Sequence, residues 1–303
     1  MRLATPFAVL IALTLHLLSA TGADTGGTRR SASETRRSKP PRTTVYSEVS
    51  KDYKREMLPT GVWKTETYAF APGAILDREG SDPSLHELTF NEVGAIAARA
   101  LASQQYVPAT DPEKTDLLIV VHWGKTIPFD NGLQDRAIED IGDILSAEME
   151  QPDVGSGFSA DEGAFESAMA LQKLAQRERD AANRFNARLL GYAAELDDLG
   201  ATPELVPPLR NYQEELVSDV ETPRYFVILQ AFDFQKAWKE KKMKLLWVTR
   251  MSIDARKRRF SDELAAMLAA AAESFGNNHG KLIRDARAPE TEYGELEVLG
   301  IEK

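Results

Sequence analysis

The sequence predicts an α/β (α+β) sandwich: one mixed or antiparallel sheet with helices on one face, plus a helical insertion. Three observations predict it. The segments read in the order β-α-β, helices, β-β-α. Residues Asp116 to Trp123 (DLLIVVHW) form a nearly continuous apolar run, as a strand buried on both faces requires. The stretch between the two halves, 133–222, holds 20 acidic and 7 basic residues and has little strand character. The predicted divisions are an export signal over 1–23, a disordered basic linker over 24–44, a first half-domain over 45–132, the acidic helical insertion over 133–222, and a second half-domain over 223–303.

Each element has a local reason. Val62 to Phe70 alternates in side-chain character, as a strand does, and Ala71-Pro72-Gly73 is expected to end it. Asp82-Pro83 reads as a cap followed by proline at the first helical position. That helix is expected to reach Ser103, with Leu85, Leu88, Val93, Ile96, Ala97, Ala100 and Leu101 on one face. A turn at Pro108 to Pro112 leads into the apolar strand. Tyr225 to Phe234 and Lys244 to Ile253 read as an antiparallel hairpin closed by a long basic loop. Ser261 is the expected cap of the next helix, which Gly276 stops. A last short strand is expected over 294–301. Within the insertion, Arg136 to Ala147, Phe165 to Leu196 and Arg210 to Val220 read as helices, broken at Gln151 to Gly157. An excursion of this kind is expected to leave a folded core when removed.

The chain has 303 residues, no cysteine and a formal net charge of -10. Without cysteine there is no disulfide framework, no thiolate metal site, no thiol nucleophile and no lipid anchor of the lipoprotein type. The acidic balance argues against nucleic acid as a partner. Arg2, the uncharged run Phe7 to Ala20, and Thr21-Gly22-Ala23 follow the pattern of a cleavable export signal. The expected location is therefore periplasmic or secreted, with no transmembrane span after cleavage. Residues 24–44 hold six basic and two acidic groups among Gly, Ser, Thr and Pro, a composition that cannot build a core.

The segments TETYAFAPG, SQQYVPATDPEKTDLLIVVHW and KLLWVTRMSI carry a resemblance. They are similar to a family of unknown function common among predicted lipoproteins of bacterial envelopes. Tyr68, Ala69, Phe70, Pro72, Tyr106, Asp116, Leu245 and Trp247 stand at the matching places. The likeness covers about half of the chain that follows the signal. The lipidation cysteine is missing, and the acidic insertion is no part of the pattern. The resemblance implies an envelope location and no established catalytic activity, and it transfers no functional residues.

The residues bring no recognised chemistry together, so catalytic, cofactor-binding and metal residues are all expected to be none. No two of His86, His122 and His279 have helical metal-site spacing. His122 reads as a structural, hydrogen-bonded side chain, and His279 as solvated. Glu139 and Asp143 share a helix face, as do Asp140 and Asp143 more loosely, but they read as solvated acids. Gly155-Ser156-Gly157 lacks the lysine of a phosphate loop. Arg177, Arg179, Arg184 and Arg188 interleave with Glu178 and Asp180, which reads as an exposed helix face. Lys236, Lys239, Lys241, Lys242 and Lys244 surround Trp238 at the hairpin tip. They read as a charged cover of that tip, or as a contact for anionic lipid or glycan. The expected function is a non-enzymatic binding or scaffold role, with an envelope protein or glycan as partner, through 133–222. The alternatives are a carboxylate-dependent envelope hydrolase and a small-ligand carrier.

Overall fold

The computed structural model describes residues 42–77, 82–129 and 162–286. The export signal, all but the end of the linker, the helix over 136–147, the break at 151–157, the Glu139–Asp143 acids and the strand over 294–301 lie outside these residues.

The strands are β1 (Thr43–Val49), β2 (Glu66–Leu76), β3 (Tyr106–Pro108), β4 (Leu117–Lys125), β5 (Arg224–Asp233), β6 (Leu245–Asp254) and β7 (Ile283–Ala286). They form one mixed sheet in the order β3-β2-β4-β5-β6-β1-β7. β2 runs parallel to β3 and β4, and the remaining pairs are antiparallel. Mixed pairing follows from connectivity. The β5–β6 hairpin forces antiparallel pairing, whereas β2 returns to β4 through a helix. Both edge strands are short, which limits the exposed row of unpaired backbone groups.

Helices α1 (Phe90–Ala102) and α5 (Phe260–Ala271) pack on one face. The core there takes alternate residues of the central strands: Leu117, Ile119, Val121 and Trp123 from β4, and Tyr225, Val227, Leu229 and Ala231 from β5. The described part of the insertion forms α2 (Glu162–Leu190), α3 (Ala193–Gly200) and α4 (Pro207–Glu221). These helices build a second core against the opposite face. Ala187, Leu190, Tyr192, Leu216 and Val220 meet Phe226, Ile228 and Val248 there, together with Leu282. The insertion is therefore a layer of the fold. Its removal would bare Phe226, Ile228 and Val248, so a folded remnant is not the outcome this packing supports.

Several local expectations are corrected. Thr43 and Thr44, expected to end the linker, open the buried strand β1. β2 does not stop at Pro72-Gly73 but continues to Leu76 through a shift of register. The glycine is needed because a Cβ there would lie 2.5 Å from His122 Nδ1. The expected single helix from Pro83 is two pieces. Asp82 caps only a short 3-10 turn, Pro83–Leu85, and α1 starts afresh with a capping box formed by Thr89 and Glu92. Ser261 does not cap α5. Arg259 holds that position and its side chain makes no capping bond to the helix, while Ser261 Oγ donates to Glu87.

Candidate functional site

The three helices of the insertion leave a groove of about 370 Å³ between them. Its apolar floor is Ala187, Val217, Val220 and Leu196. Val220 and Ala187 belong to the second core, so the floor is fixed by the same packing that holds the helices to the sheet. The rim is polar, with Arg179, Arg184 and Arg188 from α2 and Asp197 from α3.

These arginines are not equivalent, as an exposed helix face would make them. Arg179 is half-buried and reaches across to α4, where Nε and Nη2 donate to the two oxygens of Glu221 at 2.7 and 2.8 Å. Asn183 Nδ2 donates to the same carboxylate at 2.6 Å. The hydrogen bonds from Arg179 hold Glu221 below the usual carboxylate range, against the opposing effect of burial. This bidentate pair joins α2 to α4 in the wall of the groove. Arg184 and Arg188 follow at helical spacing, are exposed, and make no ion pair among the described residues. The groove thus offers an aliphatic floor beside two available guanidinium groups. That is a surface for an apolar anchor flanked by negative charge.

The histidines do not assemble. His122 accepts from Ala74 N at 2.9 Å through Nδ1, and its Nε2 lies 3.1 Å from Gln230 Oε1, a structural role as expected. His86 faces Asp77 at 3.1 Å. His279 is half-buried rather than solvated, and its Nε2 has no partner. Among the described residues no cluster of three or more metal-ligating side chains occurs.

The lysine loop is a π-helical turn, Lys236–Glu240, closed by Lys241 in the left-handed region at φ 58°. Trp238 is exposed and tilts against Phe234. Its lysines are largely neutralised: Lys236 pairs with Asp233, Lys239 with Glu113, Lys242 with Glu240 and Lys244 with Asp52. A second basic cluster, just beyond the other end of β6, is likewise largely paired: Arg256 with Asp254, Arg258 with Glu263 and Arg259 with Glu87. Register puts the two clusters at opposite ends of the hairpin, roughly 30 Å apart.

A further polar cluster escaped sequence reasoning. Asp82 is buried and accepts from Tyr225 OH at 2.6 Å and Lys125 Nζ at 3.1 Å through Oδ2. Its Oδ1 accepts from Ser84 Oγ at 2.6 Å. Tyr225 OH also lies 3.0 Å from the Arg258 carbonyl, and Phe260 N donates to Ser84 Oγ. Every member is tied to backbone or to another member, so the cluster fastens the 3-10 turn and the start of α5 to the sheet. Only the Asp-Pro cap could have hinted at it.

No family model matches the chain, and no curated protein matches it. Among solved structures it is similar to a PDZ domain protein from Parabacteroides distasonis ATCC 8503, at 10% identity and a TM-score of 0.34. That likeness covers 81% of this chain and 39% of the other. The chain therefore spans well under half of that protein's length. No helix among the described residues is long and apolar enough to cross a membrane.

Proposed function

We propose that the chain is an exported cell-envelope protein with a non-enzymatic binding or scaffold role, and that its partner docks in the groove of the inserted helices. The observation that carries this reading is the pairing of an aliphatic floor with Arg184 and Arg188, two exposed guanidinium groups that form no ion pair among the described residues. The chemistry favours a partner segment with an aliphatic anchor next to acidic groups. The envelope location rests on the signal-like residues 1–23 and on the resemblance to envelope proteins.

Arg184→Glu combined with Arg188→Glu tests the docking surface. Both side chains are exposed, so the variant should melt like the unaltered protein while cross-linking to its partner in intact cells is lost. Unchanged cross-linking would remove the groove from consideration. Export is checked separately by mass spectrometry of the protein from the envelope fraction. The expected N-terminus is Asp24, and a chain starting at Met1 would contradict cleavage.

A further inference from the structure

A second concavity lies at the far end of β1 and is independent of the helical groove. After Val49 the chain runs through Ser50 to Arg55 and makes a small turn closed by pairing of Met57 with Trp63. The segment following α5 passes alongside. A cleft of about 920 Å³ opens between them, walled by Lys51, Lys54, Arg55, Met57, Trp63 and Asn277. Gly276, at φ 68°, permits this close passage, since a Cβ there would meet the Tyr106 hydroxyl and lie 2.7 Å from Arg55 Cδ.

Arg55 is the unusual member. Its side chain is 2% exposed, yet it is incompletely bonded. The guanidinium lies between two rings, 4.7 Å from the centre of Trp63 and 4.3 Å from that of Tyr106. Nη2 donates to the Gln104 carbonyl. Nε stands 3.6 Å from Glu66 Oε2, close enough for charge attraction but too far for a hydrogen bond. That carboxylate oxygen already takes a 2.6 Å bond from Tyr53 OH. Nε and Nη1 have no hydrogen-bond partner among the described residues. A guanidinium cannot shed its charge, and burying its donors unpaired is costly. Such a group in a native fold calls for a partner beyond those the described residues supply.

The surroundings agree. Ser50 Oγ, Trp247 Nε1 and His279 Nε2 are also buried, with no partner among the described residues. Trp247 is paired with Val49 in the sheet, and His279 N approaches the Ser47 carbonyl, so all three residues belong to this end of β1. On the rim, Lys51 and Lys54 make no ion pair among the described residues. The nearby acids are occupied, Asp52 by Lys244 and Glu56 by Lys64.

We infer that this cleft binds a small organic oxyanion, a carboxylate or a phosphate monoester, whose charged end pairs with Arg55 and whose apolar body lies against Trp63 and Met57. The planar fork of arginine matches both oxyanions. Of the two rings Tyr106 is fully buried and Trp63 only half-buried, so the Trp63 side is the one by which a ligand reaches the guanidinium. The turn carrying Trp63 exposes Met57 (54%) and Val62 (44%) and holds little of the core.

The test uses the full chain with arginine side chains labelled for NMR, titrated with benzoate, phenyl phosphate and, as an uncharged control, benzyl alcohol. The Arg55 Nε–H signal should shift with at least one anion at a Kd below about 1 mM. Benzyl alcohol should leave it in place. Benzoate alone assigns the carboxylate and phenyl phosphate alone the phosphate ester. Arg55→Lys, whose binding is followed by the Trp63 indole N–H signal instead, should bind at least about tenfold more weakly, because an ammonium cannot supply the fork. The exposed pair Lys51→Ala and Lys54→Ala, which leaves the core untouched, should weaken it about threefold. No shift up to about 10 mM of either anion would mean that water satisfies the free donors, and it overturns the inference. An equal response to benzyl alcohol, or full affinity in Arg55→Lys, overturns it too.

Discussion

At the scale of single residues, Asp82 shows how one side chain couples a turn to the sheet and makes the fold sensitive to acid. Burial alone would push its carboxyl up. The hydrogen bonds from Ser84, Tyr225 and Lys125 outweigh burial and hold it down at about 2. A carboxylate with a depressed folded value stabilises the fold above its unfolded value, near 4, and loses that contribution as pH falls toward 2. The depression corresponds to about 2 kcal/mol at neutral pH. Asp82→Asn should therefore unfold in less urea at pH 7, by about 2 kcal/mol, and its stability should fall less steeply between about pH 5 and pH 2. The difference between the two pH curves isolates Asp82 from the other depressed carboxylates, such as Glu221 and Asp254. Parallel curves would show that the cluster does not couple folding to protonation.

At the scale of elements, the decisive fact is that α2 and α4 share a core with the sheet. Leu216 is fully buried between α4 and the strands. Leu216→Ala should cost about 2–5 kcal/mol. Because the core is shared, the loss should appear in the whole domain as one transition. Trp123 and Trp247, in the core on the opposite face, report it by fluorescence. A separate early transition, with both tryptophans unaffected, would make the insertion an independent unit. This layer was only half legible in the sequence. The helices of the insertion could be read from their periodicity, but not the side of the sheet they cover, because Phe226 and Ile228 merely continue an apolar strand. β4, β5 and β6 were readable because buried strands concentrate apolar residues. β1 was not, since Thr43, Thr44 and Ser47 are polar yet buried, with their burial set by neighbouring strands. The groove was legible in part. Arg184 and Arg188 do lie on an exposed face, but the reach of Arg179 to Glu221 on another helix has no local signal. Nor does the burial of Arg55, which in the sequence is one charged residue in a polar stretch.

At the scale of the whole molecule, the inserted helical layer is joined to the sheet at Arg224, the residue where the insertion returns to the strands. Its guanidinium is buried and fully engaged. Nε donates to Ser252 Oγ in β6, Nη2 to Thr44 Oγ1 in β1, and Nη1 to Asp219 Oδ1 in α4. The other oxygen of Asp219 accepts from Tyr192 OH, at the start of α3, and from Arg284 in β7. One ion pair thus ties four strands, β5 through Arg224 itself and β1, β6 and β7 through its partners, to α4 and the start of α3. It contrasts with Arg55, whose free donors mark a place left open. Removing Arg224 strands Asp219 with a partly exposed partner and leaves Ser252 and Thr44 without a donor. Arg224→Ala should therefore cost about 3–5 kcal/mol, as broken buried pairs do. Arg224→Lys should recover little of it, since one ammonium on a flexible stem cannot meet three acceptors spread over β1, β6 and α4. Urea unfolding of both variants, followed by tryptophan fluorescence and far-ultraviolet circular dichroism, makes the comparison. Rescue by lysine to within about 1 kcal/mol of the unaltered protein would mean that charge alone matters here. Failure of rescue would show that the forked geometry is what joins the layers.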